Sequence, residues 1–495
     1  MEQENLLNEN EEKENIGENN SQKELTNLPE ELHTEKLTME TAGGIDNLYE
    51  AYLKGQEVEL PPWLAEKSKE ERKIEVLPQE LYLYLKKNDH IKSVKLGNSK
   101  GIILYHYDKD GYYKKWTESD CKARIKSFIP VKIRNSSQWD KVYKEFITDY
   151  ANTKESELNA NEDIINFKNG TLNIKTGKLS PHSPDDLCTI QIPCKYTPNL
   201  PLAKAPVTMN FLNTLTNGEQ EDIWTILEII SLVISNVKCS KCKKLLILYG
   251  AGDTGKSQLR KLVERLLGEE NCHTIGFNQM NSKFGLGVVY GKRLIGSGDM
   301  EATRIADIEI LKQLTGGDSL NMELKYENAF TATFNGLVWS NCNKLPSFSG
   351  DRGKHVYERF LILSCDNVIP KEKQNPNLLD DLYAEREVLV SVAVQFLQDL
   401  IKRNYKITES KRTIQNRFNY EIQNDSLTLF LKECCEIGKE RTNISYFKYK
   451  YKEWCKENNL VPERPNSITD ILVNDFGIVK GKSGTDYYEL TIKED

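Results

Sequence analysis

Histidine is scarce in this chain, with 6 among 495 residues, and none sits in a nucleophile or metal-ligand constellation. Long apolar runs are lacking as well. Nothing approaches the ~18 consecutive apolar residues needed to cross a bilayer. The N-terminus places Glu2 and Glu4 where a secretory leader is basic and then apolar. A cytoplasmic protein without membrane contact is expected. The 11 cysteines are odd in number and scattered, which reads as reduced thiols and not as a disulfide framework. Cys239-Ser-Lys-Cys242 is the single C-x-x-C, with no second pair or nearby His, so a structural role is favoured over zinc.

Charge is unevenly spread. Residues 1–50 carry 14 Asp/Glu against 3 Lys, so about −11 lies there and the rest of a chain of net −7 is near +4. The acidic stretch is poor in aromatics and reads as a disordered tail, solubilising or partner-recruiting. The remainder is mildly basic and compatible with nucleic acid.

The most informative stretch is Leu245 to Ser257. Four apolar residues, Leu245 to Leu248, suit a buried strand. Gly250-Ala251-Gly252-Asp253-Thr254-Gly255-Lys256-Ser257 is a full G-x-x-x-x-G-K-[ST] pattern. Leu259, Leu262, Val263, Leu266 and Leu267 then share one helical face, and Gly268 is a natural stop. A strand, glycine loop and helix in this order make a P-loop, whose backbone N–H groups and helix N-terminus hold phosphates. Lys256 is expected at the β/γ-phosphates of ATP and the Ser257 hydroxyl at Mg²⁺. The bland alternative is a glycine-rich turn that binds nothing.

At this length several domains are expected. The organisation reads as an acidic tail and linker (1–70, with the run Glu66 to Lys73 turning helical), a small α+β domain (71–150), an associated domain that leads into the core (151–240), an α/β P-loop core with a parallel sheet (241–370), a helical segment (371–420) and a C-terminal module (421–495). In the second unit a hairpin flanks Asp108-Lys-Asp110, and Lys122, Arg124 and Lys126 face either DNA or water. In the third, Ile164 to Gly177 reads as a hairpin turning at Asn169-Gly170. The core strands are expected at 245–249, 274–277, 293–296, 337–340 and 360–364. The last unit shows helices at 427–435, 446–458 and 467–476 before a β-wing at 478–489, which reads as a winged helix. There the third helix would enter a major groove and Lys480 and Lys482 would meet phosphates, or the module would bind protein.

An ATPase needs acids beyond the strand and a sensor near the γ-phosphate. Asp299 and Glu301 follow a predicted strand, Asp299 as the metal-side acid and Glu301 to polarise water. Asn341 and Asn343 end the next strand, and either amide could orient water. Arg359 starts the strand after that; its bland reading is a surface ion pair.

Together these residues resemble the superfamily 3 (AAA+) helicases. Within them, Asn169-Gly-Thr-Leu-Asn-Ile-Lys-Thr-Gly-Lys-Leu-Ser-Pro181-His182, Gly291-Lys-Arg-Leu294, Leu314-Thr-Gly-Gly-Asp318 and Asn343-Lys-Leu-Pro346 look like blocks of the phage, plasmid and poxvirus primase-helicase branch, found in replication initiators of mobile elements. The resemblance spans about 160–370. It implies a homo-hexamer with ATP and Mg²⁺ between subunits and Arg359 reaching the neighbour's γ-phosphate. It also implies 3′→5′ movement on single-stranded DNA gripped by a hairpin at Lys325 and Tyr326. Relatives carry adjacent acids where this chain has Asp299-Met300-Glu301. Residues 75–150 are too short for a primase domain, so no priming activity and a separate primase partner are expected. The resulting expectation is an ATP-dependent helicase and replication initiator that also binds origin double-stranded DNA. The rival is an origin-binding regulator in which ATP only switches assembly.

Overall fold

The computed structural model describes residues 36–96, 101–149, 153–282, 284–300, 305, 308–323, 329–348, 353–458, 460–483 and 485–493. The first packed element lies inside the stretch expected to be a tail. Helix Ile45–Leu53 starts after Gly43 and Gly44, both at positive φ. It buries Ile45, Leu48, Tyr49 and Tyr52 against Trp63, Leu81, Ile125 and Phe146. The charged run after Trp63 is not helical. Leu64–Ser68 and Lys73–Val76 pair as an antiparallel hairpin, with Ile74 and Val76 inward and Lys73 and Glu75 outward, a period of two. The expected boundary at residue 70 therefore falls within a folded unit.

The next sheet has the strand order Tyr113–Trp116, Ile102–Tyr107, Lys92–Lys95, Thr153–Lys154. Its central hairpin is the one expected around Asp108–Asp110. Helix Glu118–Ser127 carries the three basic residues weighed for DNA, and all three are engaged within the fold. Arg124 forks onto Asp89 at 2.8 and 2.9 Å, Lys122 pairs with Glu118 and Asp140, and Lys126 sits 4.3 Å from the centre of the Trp139 ring.

The expected division at 150/151 is also displaced. Thr153–Lys154 completes the preceding sheet by pairing with Lys92–Lys95, the Tyr113 N–H donates to Cys188 O (2.8 Å), and the Asn166 amide donates to Gly111 O (2.8 Å). The two stretches interlock. In the hairpin Ile164–Phe167 and Gly170–Asn173, Phe167 pairs with Gly170, so the turn is Lys168-Asn169, one residue earlier than expected. Gly170 has φ 143°, and a Cβ there would stand 2.4 Å from Ser180 O.

Five strands form the core sheet, ordered Cys272–Thr274, Leu294–Gly296, Leu337–Cys342, Leu245–Tyr249, Phe360–Ser364, all parallel. The second strand in sequence lies earlier than expected at 274–277, because Phe277–Met280 turns helical behind Gly276. The central strands are apolar on both sides, as strands covered on two faces must be. Leu246, Leu248, Trp339 and Leu361 pack toward helices Gln220–Val233, Lys256–Leu267 and Arg386–Lys402. Leu245, Ile247, Val338 and Ile362 pack toward Leu311, Leu314, Phe348 and Tyr420. An antiparallel pair, Ser319–Met322 with Phe330–Thr333, precedes the central strand Leu337–Cys342. A hairpin is expected before this strand, and Lys325 and Tyr326, expected on it, lie outside the described residues.

Two buried carboxylates tie the segment before the core to the one after it. Asp222 accepts from Ser410, Thr413 and Arg412, and Glu228 accepts from the Thr408 N–H and hydroxyl. Helix Lys411–Asn424 lies on Phe360–Ser364, with the Asn416 amide donating to Ile362 O (3.0 Å), so the expected boundary at 420/421 cuts a helix. Beyond it, Ser426–Cys434, Ile444–Glu457 and Pro465–Asn474 are the three expected helices. The sheet beside them has three strands, because Cys435–Asn443 pairs with Thr485–Ile492 alongside Lys480–Ser483.

Candidate nucleotide site

The glycine loop leaves Leu245–Tyr249 at its C-terminal end, where ligands of open α/β sheets bind. Gly250 has φ 147°, and a Cβ there would meet Cys365 O at 2.1 Å, so the loop can pass the neighbouring strand only with glycine. Asp253 (φ 59°) and Gly255 (φ 96°) complete the reversal into helix Lys256–Leu267. That helix buries the five aliphatic residues its periodicity marked, together with Arg260. Lys256 is 7% exposed. Its ammonium donates to Gly250 O (2.9 Å), Ala251 O (2.6 Å) and Thr254 Oγ1 (3.2 Å), so a cation is held directly over the loop.

The acidic segment is stitched to the end of the adjacent strand. Asn341 N–H donates to Ser297 O (2.8 Å) and Met300 N–H to Asn341 O (2.7 Å). This brings exposed Asp299 to the cleft mouth. Burial pushes the Cys342 thiol up to about 12, while Lys256 pulls it down and Asp299 pushes it up, so both charges lie within electrostatic reach of one sulfur. Glu301 lies outside the described residues.

The two asparagines are not equivalent. Asn341 is 1% exposed; its Oδ1 accepts from the Trp339 indole N–H (2.9 Å), and its Nδ2 has no partner among the described residues. A buried donor left unmet costs about 1–3 kcal/mol, and a catalytic role, a bound water or stored strain are the reasons such a group is kept. Asn343 is exposed, just past the strand. Both line one cleft of about 670 Å³ with Gly252 to Gln258 and Asp299.

Arg359 lies elsewhere. It precedes Phe360, which pairs with Leu245, so it stands at the opposite end of the strands from the loop, about 17 Å away at ~3.3 Å per residue. Its guanidinium donates to Lys312 O (3.0 Å) and Thr315 Oγ1 (2.7 Å). Lys480 is exposed on the C-terminal hairpin, where Lys482 pairs in register with Asp486.

Three contributors escaped the sequence reading. Val207, Asn210, Phe211 and Thr214 of helix Pro206–Thr216 form one cleft wall, and Ile369, Lys373 and Leu378 form another. Their helical and loop patterns carry no nucleotide signal. Arg260, 2% exposed, bonds Glu264, Trp339 O and Gly296 O, fastening the loop helix to two strands; nothing in its local sequence marks it.

No group of three or more His, Cys, Asp or Glu among the described residues is placed to hold a metal ion, and no helix among them is long and apolar enough to cross a membrane. Among the described residues, the cleft lining includes the Ser257 side chain and the carboxylates of Asp253 and Asp299, a sparse set of protein ligands for a metal ion. That suits an ion whose remaining ligands are water and substrate phosphates.

Residues 63–217 match the family model described as D5 N terminal like, and residues 248–359 match one described as a family of unknown function. Among curated proteins, an uncharacterized mitochondrial protein of Marchantia polymorpha, ymf21, is 27% identical over 139 residues, 26% of this chain and 76% of that protein. Among solved structures, the A form apo structure of the NrS-1 C terminal region aligns at 12% identity and TM-score 0.43, covering 83% of this chain and 99% of that one. A second apo structure of the same region aligns at 12% identity and TM-score 0.44, covering 84% and 99%. The D5 N terminal like match covers the stretch that leads up to the parallel-sheet core.

Proposed function

We propose that this protein is an ATP-driven DNA helicase of the superfamily 3 (AAA+) type that also initiates replication of a mobile element. The observation that carries the reading is the convergence of Lys256, Ser257, Asp299 and Asn341 on one cleft at the C-terminal ends of a parallel sheet. In this reading the loop amides and Lys256 bind the β/γ-phosphates. Ser257 and Asp299 hold Mg²⁺, which supplies charge neutralisation at the transferring phosphoryl group. The unmet Asn341 donor fits a group that orients the attacking water or the γ-phosphate, which makes Asn341 the sensor in preference to Asn343. Glu301 remains the proposed polarising acid.

Arg359 is too far from its own loop to serve it, so its proposed role is at the neighbouring subunit's nucleotide in a hexameric ring. The hairpin carrying Lys325 and Tyr326 is the proposed grip on single-stranded DNA, with 3′→5′ movement and a separate primase. The order helix, strand, helix, helix, two-stranded wing supports naming the C-terminal module a winged helix, in which Lys480 and Lys482 contact origin phosphates. Hydrolysis of ATP by the purified protein, stimulated by single-stranded DNA and lost in Lys256→Ala, tests the reading. Slow hydrolysis indifferent to DNA would favour the assembly-switch regulator.

A further inference from the structure

The C-terminal module's charge does not lie where the winged-helix reading expects it. Residues 425–495 hold eleven Lys/Arg against thirteen Asp/Glu, so affinity for nucleic acid has to come from local arrangement. The third helix, Pro465–Asn474, has no Lys or Arg and exposes Asp470. Helix Ile444–Glu457 differs. It packs through Phe447, Tyr451 and Cys455, and its opposite side exposes Lys450, Lys452 and Lys456 beside Tyr446 and Tyr449.

The two tyrosine rings are 47% and 56% exposed, unusual for aromatics of this size in a packed module. They are three residues apart and so neighbours on the helix surface. Among the described residues none of these three lysines pairs with a carboxylate; the Lys450 ammonium lies 5.8 Å from the centre of the Tyr446 ring. The basic residues of helix Glu118–Ser127 are instead all engaged within the fold. Glu453 and Glu457 share the exposed side, and Tyr449 OH donates to Glu453 (3.1 Å), which orients that ring and leaves its faces open.

We propose that this face binds single-stranded DNA, with bases stacked on Tyr446 and Tyr449 and phosphates met by Lys450, Lys452 and Lys456. Exposed rings beside ammonium groups that pair with no carboxylate among the described residues, one of them standing over a tyrosine face, are the chemistry of sequence-tolerant single-strand binding, whereas duplex DNA keeps its bases stacked on one another and out of reach. None of these residues lines the nucleotide cleft, and the proposal does not depend on ATP hydrolysis.

The test uses the full-length protein without nucleotide and a fluorescein-labelled 20-mer of dT, read by anisotropy, with a 20-bp duplex in parallel. Tyr446→Ala/Tyr449→Ala should weaken dT binding about 10-fold or more, and Tyr446→Phe/Tyr449→Phe should restore it. Lys450→Ala/Lys452→Ala/Lys456→Ala should flatten the salt slope of dT binding by about 2. Photo-crosslinking with a 5-iodo-dU oligonucleotide should label Tyr446 or Tyr449. Unchanged dT affinity, loss confined to the duplex, or crosslinks found only elsewhere would each overturn it. Failure of Lys256→Ala to abolish ATP hydrolysis would count against the motor and leave this proposal standing.

Discussion

Lys256, Asn341 and Gly250 make separable demands on the nucleotide site. Lys256→Ala removes the ammonium held over the loop and should lower ATP turnover by about 10²-fold or more, measured as phosphate release at saturating ATP. Asn341→Ala removes an amide that costs the free protein an unmet donor. It should lower kcat by about 10²-fold with little change in KM, and it should lower the melting temperature somewhat, because the buried Trp339 indole N–H loses its acceptor. Asn343→Ala, at an exposed position, should have the smaller effect on kcat; the reverse order would move the sensor to Asn343. Gly250→Ala meets Cys365 O and a disfavoured φ together, and should abolish nucleotide binding by calorimetry even if the chain still folds. The glycine pattern and its lysine were fully legible in the sequence. The choice between two asparagines two residues apart was not, because it rests on which one a neighbouring strand buries.

Elements were legible where period and punctuation agreed. Leu245–Tyr249 and Phe360–Ser364 appear with the expected bounds, because uninterrupted apolar runs bounded by polar residues admit little else. Cys435–Asn443 was missed because Cys-Glu-Ile-Gly-Lys-Glu-Arg-Thr-Asn has no alternation; it is an edge strand with an irregular register between Ile437 and Arg441. Helix Ile45–Leu53 was hidden by the acidic composition around it, although Ile45, Leu48 and Tyr52 carry a helical spacing. Arg260 was hidden because partners distant in sequence, Trp339 O and Gly296 O, determine its role. Arg260→Ala strips those carbonyls and Glu264 of a buried partner and should cost about 3–5 kcal/mol in chemical denaturation. A loss under 1 kcal/mol would mean that the loop helix is held by its aliphatic face alone.

At the scale of the whole molecule, the boundaries follow contacts and not composition. A chain truncated after Asn424 keeps helix Lys411–Asn424 on the core and should retain DNA-independent ATP hydrolysis while losing origin binding. One truncated after Lys406 also loses Thr408, Ser410, Arg412 and Thr413, the partners of Glu228 and Asp222, and should be insoluble or melt well below the intact protein. Subunit sharing of the site is testable by mixing two inactive variants. Lys256→Ala contributes an intact Arg359 and Arg359→Ala an intact Lys256, so the mixture should regain hydrolysis that neither variant shows alone; no recovery at any ratio would place Arg359 outside the neighbour's site. The central claim, that nucleotide turnover in this cleft moves DNA, is met most directly by strand displacement on a fork with a 3′ single-stranded tail, with ATP and Mg²⁺, comparing the intact protein with Lys256→Ala. Unwinding by the former and none by the latter is the predicted result; ATP hydrolysis without unwinding on either 3′ or 5′ tails would contradict it.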